Sequence, residues 1–441
     1  MKYVQIILCY LNLLSAMSFS LIAPLLPPLC KEKGISNQIC SYIISSLCAT
    51  QILTALFCPN LIQKYGQKNL FFISVIGQTL CTFYYGFMVF INNNFLFILS
   101  GFLARLLHGF FTSIVNIISF SMTALINKGK ELERAMGYME LSWGIGLAVG
   151  PAVIGIFFDI GGYCLPFIII GIIYSSGIYY FNKIPNEDFG EGNSTRSSTN
   201  SLKNENNQKN NNFLFLSIMF YPQAIILMGC LMVELNTTDF YIPTLVNYLK
   251  DSFSIQTSRA SLFFLASTFG YIICTQVINQ LTDLFNNFKL MFIGHCLGAI
   301  CCLLTAPLGI LPHSYIFIII GIFIQGFVGG MINIPGFVEL NNFGKKIFPH
   351  DSHLQRDIPS SLFNFSFFFG DLVEPIMGAW INSHFSFQIS AYFAAFLSVL
   401  MASIFYYYYI NEINSPPLKE NESNSQLIDK KLSNIKEISD V

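Results

Sequence analysis

The sequence predicts an all-α membrane protein: twelve transmembrane helices in two pseudo-symmetric six-helix halves. Three observations predict it. Hydrophobic residues make up 53% of the 441 and charged residues only 11%, against about 25% charged in an average soluble domain. The apolar residues gather into twelve stretches, most of them near or above the roughly 20 residues that an α-helix needs to cross a bilayer. Four landmarks then recur at nearly constant separation. Pro24 and Pro243 are 219 residues apart, Gln63 and Asp283 220, Gly109 and Gly326 217, and Pro151 and Pro375 224. Tandem halves of this kind put a solute site near the bilayer midplane between them.

Taken in order, the spans are predicted at 4–27, 39–59, 69–91, 95–127, 134–158, 164–182, 214–248, 260–282, 288–311, 314–340, 359–381 and 387–411. The first is long for the apolar core of a cleavable leader and lacks a small-residue exit, so it reads as a span. The fourth is longer than a bilayer requires, which predicts tilt or projection beyond the membrane. Residues 183–213 are Asn- and Ser-rich and nearly free of apolar side chains. Such a segment cannot bury enough surface to fold, so it is predicted to be a disordered cytosolic linker. It separates an N-terminal half at 1–182 from a C-terminal half at 214–411, and residues 412–441 read as a disordered cytosolic tail.

With the N-terminus inside, eighteen Lys and Arg fall on the inner side. Four (Lys31, Lys33, Lys250 and Arg259) fall outside, and Arg105 lies within the membrane. This bias predicts that both termini are cytosolic. A net charge of -1 gives no reason to expect a nucleic-acid partner. The twelve cysteines form no CxxC pair and mostly sit in apolar runs, which points to packing and away from a metal site. Cys30 and Cys40 flank one outer loop and could pair there. No nucleophile elbow, phosphate loop or dinucleotide fingerprint is present, so no enzyme is expected.

Ionisable groups inside the spans carry the functional inference, because each costs roughly 2.5–3.5 kcal/mol at mid-helix. Arg105 lies about ten residues into span four, about 15 Å deep, and reads as a gate charge or counter-ion. His108, one turn on, and His295 lie on apolar faces and suit packing as well as titration near neutrality. The candidate substrate- or proton-binding acids are Glu140 in span five, Glu234 and Asp239 in span seven, and Asp371 and Glu374 in span eleven, with Glu234 and Asp371 expected to be the carboxylates that bind the cation or proton. Asp371 and Glu374 are three apart and share a helix face, where close approach disfavours ionising both. Gly146 and Gly150 share a face and admit a neighbouring backbone, and Pro151 removes a donor and can kink the helix. With Gly155 they read as a gating element, although ordinary small-residue packing gives the same pattern.

These residues resemble the major facilitator superfamily, over nearly the whole chain. The loop NLIQKYGQK stands where that superfamily has G-x-L-a-D-R-x-G-R-R. Gly66 and Lys68 fit and Lys64 is a like-for-like basic residue, while Pro59 replaces the leading Gly and Gln63 the Asp. Arg105-Leu-Leu-His-Gly109 is similar to the R-x-x-Q-G of span four. The Gly146 to Gly155 segment resembles the span-five motif of its proton antiporters, with Ile154 in place of one Gly. The stretches SLIAPLLPPLCKEKGIS and MGYMELSWGIGLAVGPAVIGIFFDIGGYCLPF look most like the vesicular amine transporter family, solute carrier family 18, and its polyamine branch. The resemblance implies an inner-side latch at Lys64, Gly66 and Lys68, with Asp283 as the repeat counterpart in the other half. It also implies a proton gradient as driving force, without a cofactor. Two departures stand out. Ser15 and Asn364 occupy positions where monoamine carriers have acids, which argues against a typical monoamine site.

The expected function is secondary transport, exchanging protons for an organic cation such as an amine or polyamine by alternating access. The 45 Phe and 21 Tyr permit cation–π contacts with such a solute. A monomer in a vesicular, vacuolar or plasma membrane is expected. A uniporter or anion symporter, with Arg105 binding the solute, and a transport-dead sensor or scaffold remain open at this point.

Overall fold

The computed structural model describes residues 3–182, 184, 218–236, 242–255, 263–306, 314–349 and 351–414. The predicted linker and tail lie almost wholly outside them. Among the described residues the chain is helical, with short turns between elements, and eight helices are each long and apolar enough to cross a membrane. Span one is Tyr3–Ser20 continued by Ile22–Glu32, with Leu21 between them keeping helical dihedrals and donating to the Met17 carbonyl at 3.2 Å. Spans two to six are Asn37–Tyr65, Gln67–Phe87, Asn94–Ile126, Lys130–Gly161 and Cys164–Asn182. Spans ten to twelve are Tyr315–Ile347, Leu354–His384 and Phe387–Asn414.

Span seven is described as Pro222–Asn236 and Ile242–Phe253, with residues 237–241 outside the described residues. One region differs from expectation. Spans eight and nine run together as Phe264–Thr305, with Asn286 the one non-helical residue between them. A single residue reverses the chain because its φ is +47° and its side chain caps the start of span nine, Oδ1 accepting the Lys289 N–H at 3.0 Å. Spans two and three meet in the same way at Gly66, whose φ is +80°. Gly66 and Asn286 are 220 residues apart, so the repeat extends to the backbone of the turn.

Close packing repeats as well. A Cβ on Gly109 of span four would sit 2.5 Å from the Leu47 carbonyl oxygen of span two. A Cβ on Gly326 of span ten would overlap the Ser267 carbonyl of span eight. Leu47 and Ser267 are again 220 apart, and each half uses its glycine to bring two backbones together.

Between the halves, span two packs on span eleven and span five on span eight. Phe120, Phe337 and Phe363, from spans four, ten and eleven, form a triangle with centroids 5.1–5.5 Å apart. Beyond it, at the end rich in Lys and Arg, three polar contacts cross from one half to the other. Ser121 donates to Asp357, Thr282 donates to Glu133 at 2.7 Å, and Lys130 pairs with Asp283. Cys30 and Cys40 are both buried as free, neighbouring thiols.

Candidate functional site

Three helices bring acidic groups to one depth. Glu140 is ten residues into the helix that starts at Lys130, and Glu234 is twelve into the one that starts at Pro222. At 1.5 Å per residue both lie about 15–18 Å from the basic end. Tyr271 of span eight, twelve residues before Asp283, reaches the same level and is within electrostatic reach of both carboxylates. Both acids are buried, Glu140 at 8% exposure and Glu234 at 2%. Gly329 of span ten leaves room for the group: a Cβ there would lie 2.8 Å from Glu234 Oε1 and 3.4 Å from the Tyr271 ring. Among the described residues no Lys or Arg forms an ion pair with Glu140. Two acids and a phenol from opposite halves thus form one electronegative spot, which a proton or a compact cation can neutralise.

Arg105 is placed differently from the expectation of an acidic partner. It is 2% exposed, donates from Nη2 to the Ile44 carbonyl at 3.2 Å, and lies about 6 Å from the rings of Phe19 and Tyr85, at 5.9 and 6.0 Å. Among the described residues no carboxylate pairs with it; aromatic faces and a backbone dipole support the charge instead. His108 lies in the same layer, edge-on to Tyr85 at 5.4 Å, its Nε2 3.2 Å from the Ser18 hydroxyl. Ser18 is in turn 2.5 Å from the Thr82 hydroxyl.

The span-five glycines pack against span one. A Cβ on Gly146 would overlap the Leu13 carbonyl, and one on Gly150 the Ser20 hydroxyl. The helix continues through Pro151 and Gly155 to Gly161; the surroundings of those two residues lie outside the described side chains. Ser15, one of the two neutral departures, accepts from Gln78 Nε2 at 2.8 Å, while Tyr174 donates to Gln78 Oε1 at 2.6 Å. Asn364, the other, donates to the Ser360 carbonyl at 2.8 Å. Neutral hydrogen bonds therefore occupy both positions, a network at Ser15 and a bond within the helix at Asn364.

The remaining predicted residues scatter. Asp371 is half-buried and Glu374 buried, the latter within electrostatic reach of Cys302 in span nine. Asp239 lies outside the described residues. Lys64 is exposed and sits over the Tyr65 ring, and Lys68 donates to the Ile184 carbonyl at 2.7 Å, a contact within its own half. Asp283 does reach the other half, through Lys130. Two groups escape sequence reasoning. Tyr271 is one tyrosine among 21. Asp357 falls in a loop if span eleven starts at Pro359, whereas the helix begins at Leu354. The usable signal is Asp351, whose Oδ1 accepts the N–H groups of His353 and Leu354 at 3.0 Å each.

The family model described as Major Facilitator Superfamily matches residues 8–338 and 227–440. The chain is similar to the MFS-type transporter SLC18B1 of Mus musculus, 23% identical over 421 residues that cover 94% of this chain and 88% of that protein. The Homo sapiens protein of the same name is 23% identical over 415 residues, 92% of this chain and 86% of its own length. Over a shorter reach, 173 residues, the chain is 27% identical to the class H tetracycline resistance protein of Pasteurella multocida, covering 38% and 41% of the two.

Proposed function

This chain belongs to the major facilitator superfamily, and from that premise we propose that it exchanges protons for an organic cation, an amine or polyamine, by alternating access. Family membership makes it a multi-pass membrane transporter of a small solute and not an enzyme. The finer reading rests on one observation, the buried acids Glu140 and Glu234 meeting at Tyr271 between the halves. A carboxylate pair that holds either a proton or an ammonium group couples the two by competition, since the same charge cannot serve both at once. The similarity to SLC18B1 supports the branch of the superfamily. The neutral hydrogen-bonding side chains at Ser15 and Asn364 favour a solute other than a monoamine. Asp371, expected with Glu234 as a leading acid, and Glu374 are proposed as further acids on the same path. The Lys and Arg distribution supports cytosolic termini, and a monomer suffices because the site is built within one chain.

Proteoliposome uptake driven by an imposed pH gradient, screened over amines and polyamines, tests this. Uptake should collapse when the gradient is dissipated, and Glu140→Gln and Glu234→Gln should each abolish gradient-driven uptake. Full proton-coupled uptake in both variants would end the assignment. A second reading, a uniporter or anion symporter, is favoured by one observation: Arg105 is a buried cation that no carboxylate among the described residues neutralises. Flux of an organic anion indifferent to the pH gradient would select it.

A further inference from the structure

The contacts at the basic end include one that neither the lysine-rich loop nor the acid pair accounts for. Asp357 is 1% exposed, in the first turn of the helix that carries span eleven. It accepts a hydrogen bond from Ser121, near the inner end of span four. Ser121 in turn accepts from Gln67 Nε2, at the start of span three, at 3.0 Å. On the other side, Arg356 Nε lies 3.9 Å from Asp357 Oδ1, and its Nη2 lies 3.0 Å from His353 Nδ1. A polar chain therefore runs from Gln67 through Ser121 and Asp357 to Arg356 and His353. It crosses from one half to the other in a single step. Behind it, fully buried in span two, lies Cys58, within electrostatic reach of Asp357.

We infer that Asp357 is the positioning carboxylate of the closure at the basic end: its hydrogen bond from Ser121 holds the two halves together there, and the end opens by breaking that bond. The inference rests on alternating access and deepens it by naming the contact that must part. A hydrogen bond to a charged group is stronger than a neutral one, and here both partners leave water to make it. Lys130 and Asp283, more than half exposed, are screened and contribute little by comparison. An acid on span eleven supplies the most deeply buried of the cross-half contacts, alongside the Thr282 to Glu133 bond.

Cys58 is a native reporter. The full chain in detergent or proteoliposomes is labelled with a charged, water-soluble maleimide, and each cysteine is followed by peptide mass spectrometry. No knowledge of the solute is needed, so the result is independent of whether the transported species has been identified correctly. Ser121→Ala and Asp357→Asn should each raise the Cys58 rate by more than about tenfold, the scale of a hydrogen bond to a charged group. The double variant should add nothing beyond the larger single effect. Ser121→Thr, which keeps the hydroxyl, should label like the parent chain and covers the case in which Asp357→Asn fails to fold. Cys302, fully buried in the packed cluster with Ile318 and Ala391, should stay slow throughout. An unchanged Cys58 rate in Ser121→Ala, additive effects in the double variant, or an equal rise at Cys302 would overturn the assignment.

Discussion

The two halves share a scaffold and differ in chemistry, and the contrast is sharpest in spans four and ten. Gly109 and Gly326 occupy matching places, each pressed on a backbone carbonyl of a matching neighbour, Leu47 or Ser267. Four residues earlier the match ends. Arg105 stands in one half and Ile322 in the other, and His108 corresponds to Gln325. What recurs is the geometry that lets helices approach; what fails to recur is charge. Residues kept by both halves are explained by packing alone, whereas a guanidinium buried at only one of two matching positions needs a reason beyond packing.

The strongest way to break this comparison is to restore the symmetry. Arg105→Ile puts the second half's residue into the first. Burying a charge with no opposite charge beside it costs the fold several kcal/mol, so with that charge removed thermal unfolding in detergent should hold or shift upward. Uptake should nevertheless fall by more than about tenfold, equivalent to about 1.4 kcal/mol. A variant that transports normally would return Arg105 to the scaffold. Next come the shared glycines. Gly326→Ala should destabilise by about 1–3 kcal/mol through overpacking, and more than Gly109→Ala, because its Cβ meets the neighbouring carbonyl more closely. Equal or negligible shifts in melting temperature would break the claim that these are contact points. Smaller still is the turn: Asn286→Ala should cost about 1–2 kcal/mol by losing the helix cap and the tolerance for positive φ. Asn286→Gly should cost less, since glycine adopts that backbone freely. The least effect is expected at the exposed pair, where Lys130→Ala should change stability by about 0–1 kcal/mol, read in the same unfolding assay.

The same contrast explains what was legible in the sequence. The spans were, because a bilayer imposes length and apolarity on each one separately. The repeat was legible at Gly109 and Gly326 because close approach demands one residue type. The predicted acids Glu140 and Glu234 were visible as charges in apolar runs, but their meeting at Tyr271 depends on how span five packs on span eight, which no local pattern encodes. The cage around Arg105 was hidden for the same reason: Phe19, Ile44 and Tyr85 come from three other spans. Asp357 was missed because the predicted boundary lay five residues, more than one helical turn, too late. That turn separates a solvated loop acid from one sealed between the halves.

The one-residue reversals at Gly66 and Asn286 carry a mechanical consequence. Two helices joined with no slack travel together like the arms of an elbow, so displacement of span eight at the basic end must be transmitted along span nine. His295 lies fully buried in that arm, more than two helical turns past the bend. A spectroscopic label there would register motion that begins on the far side of the corner.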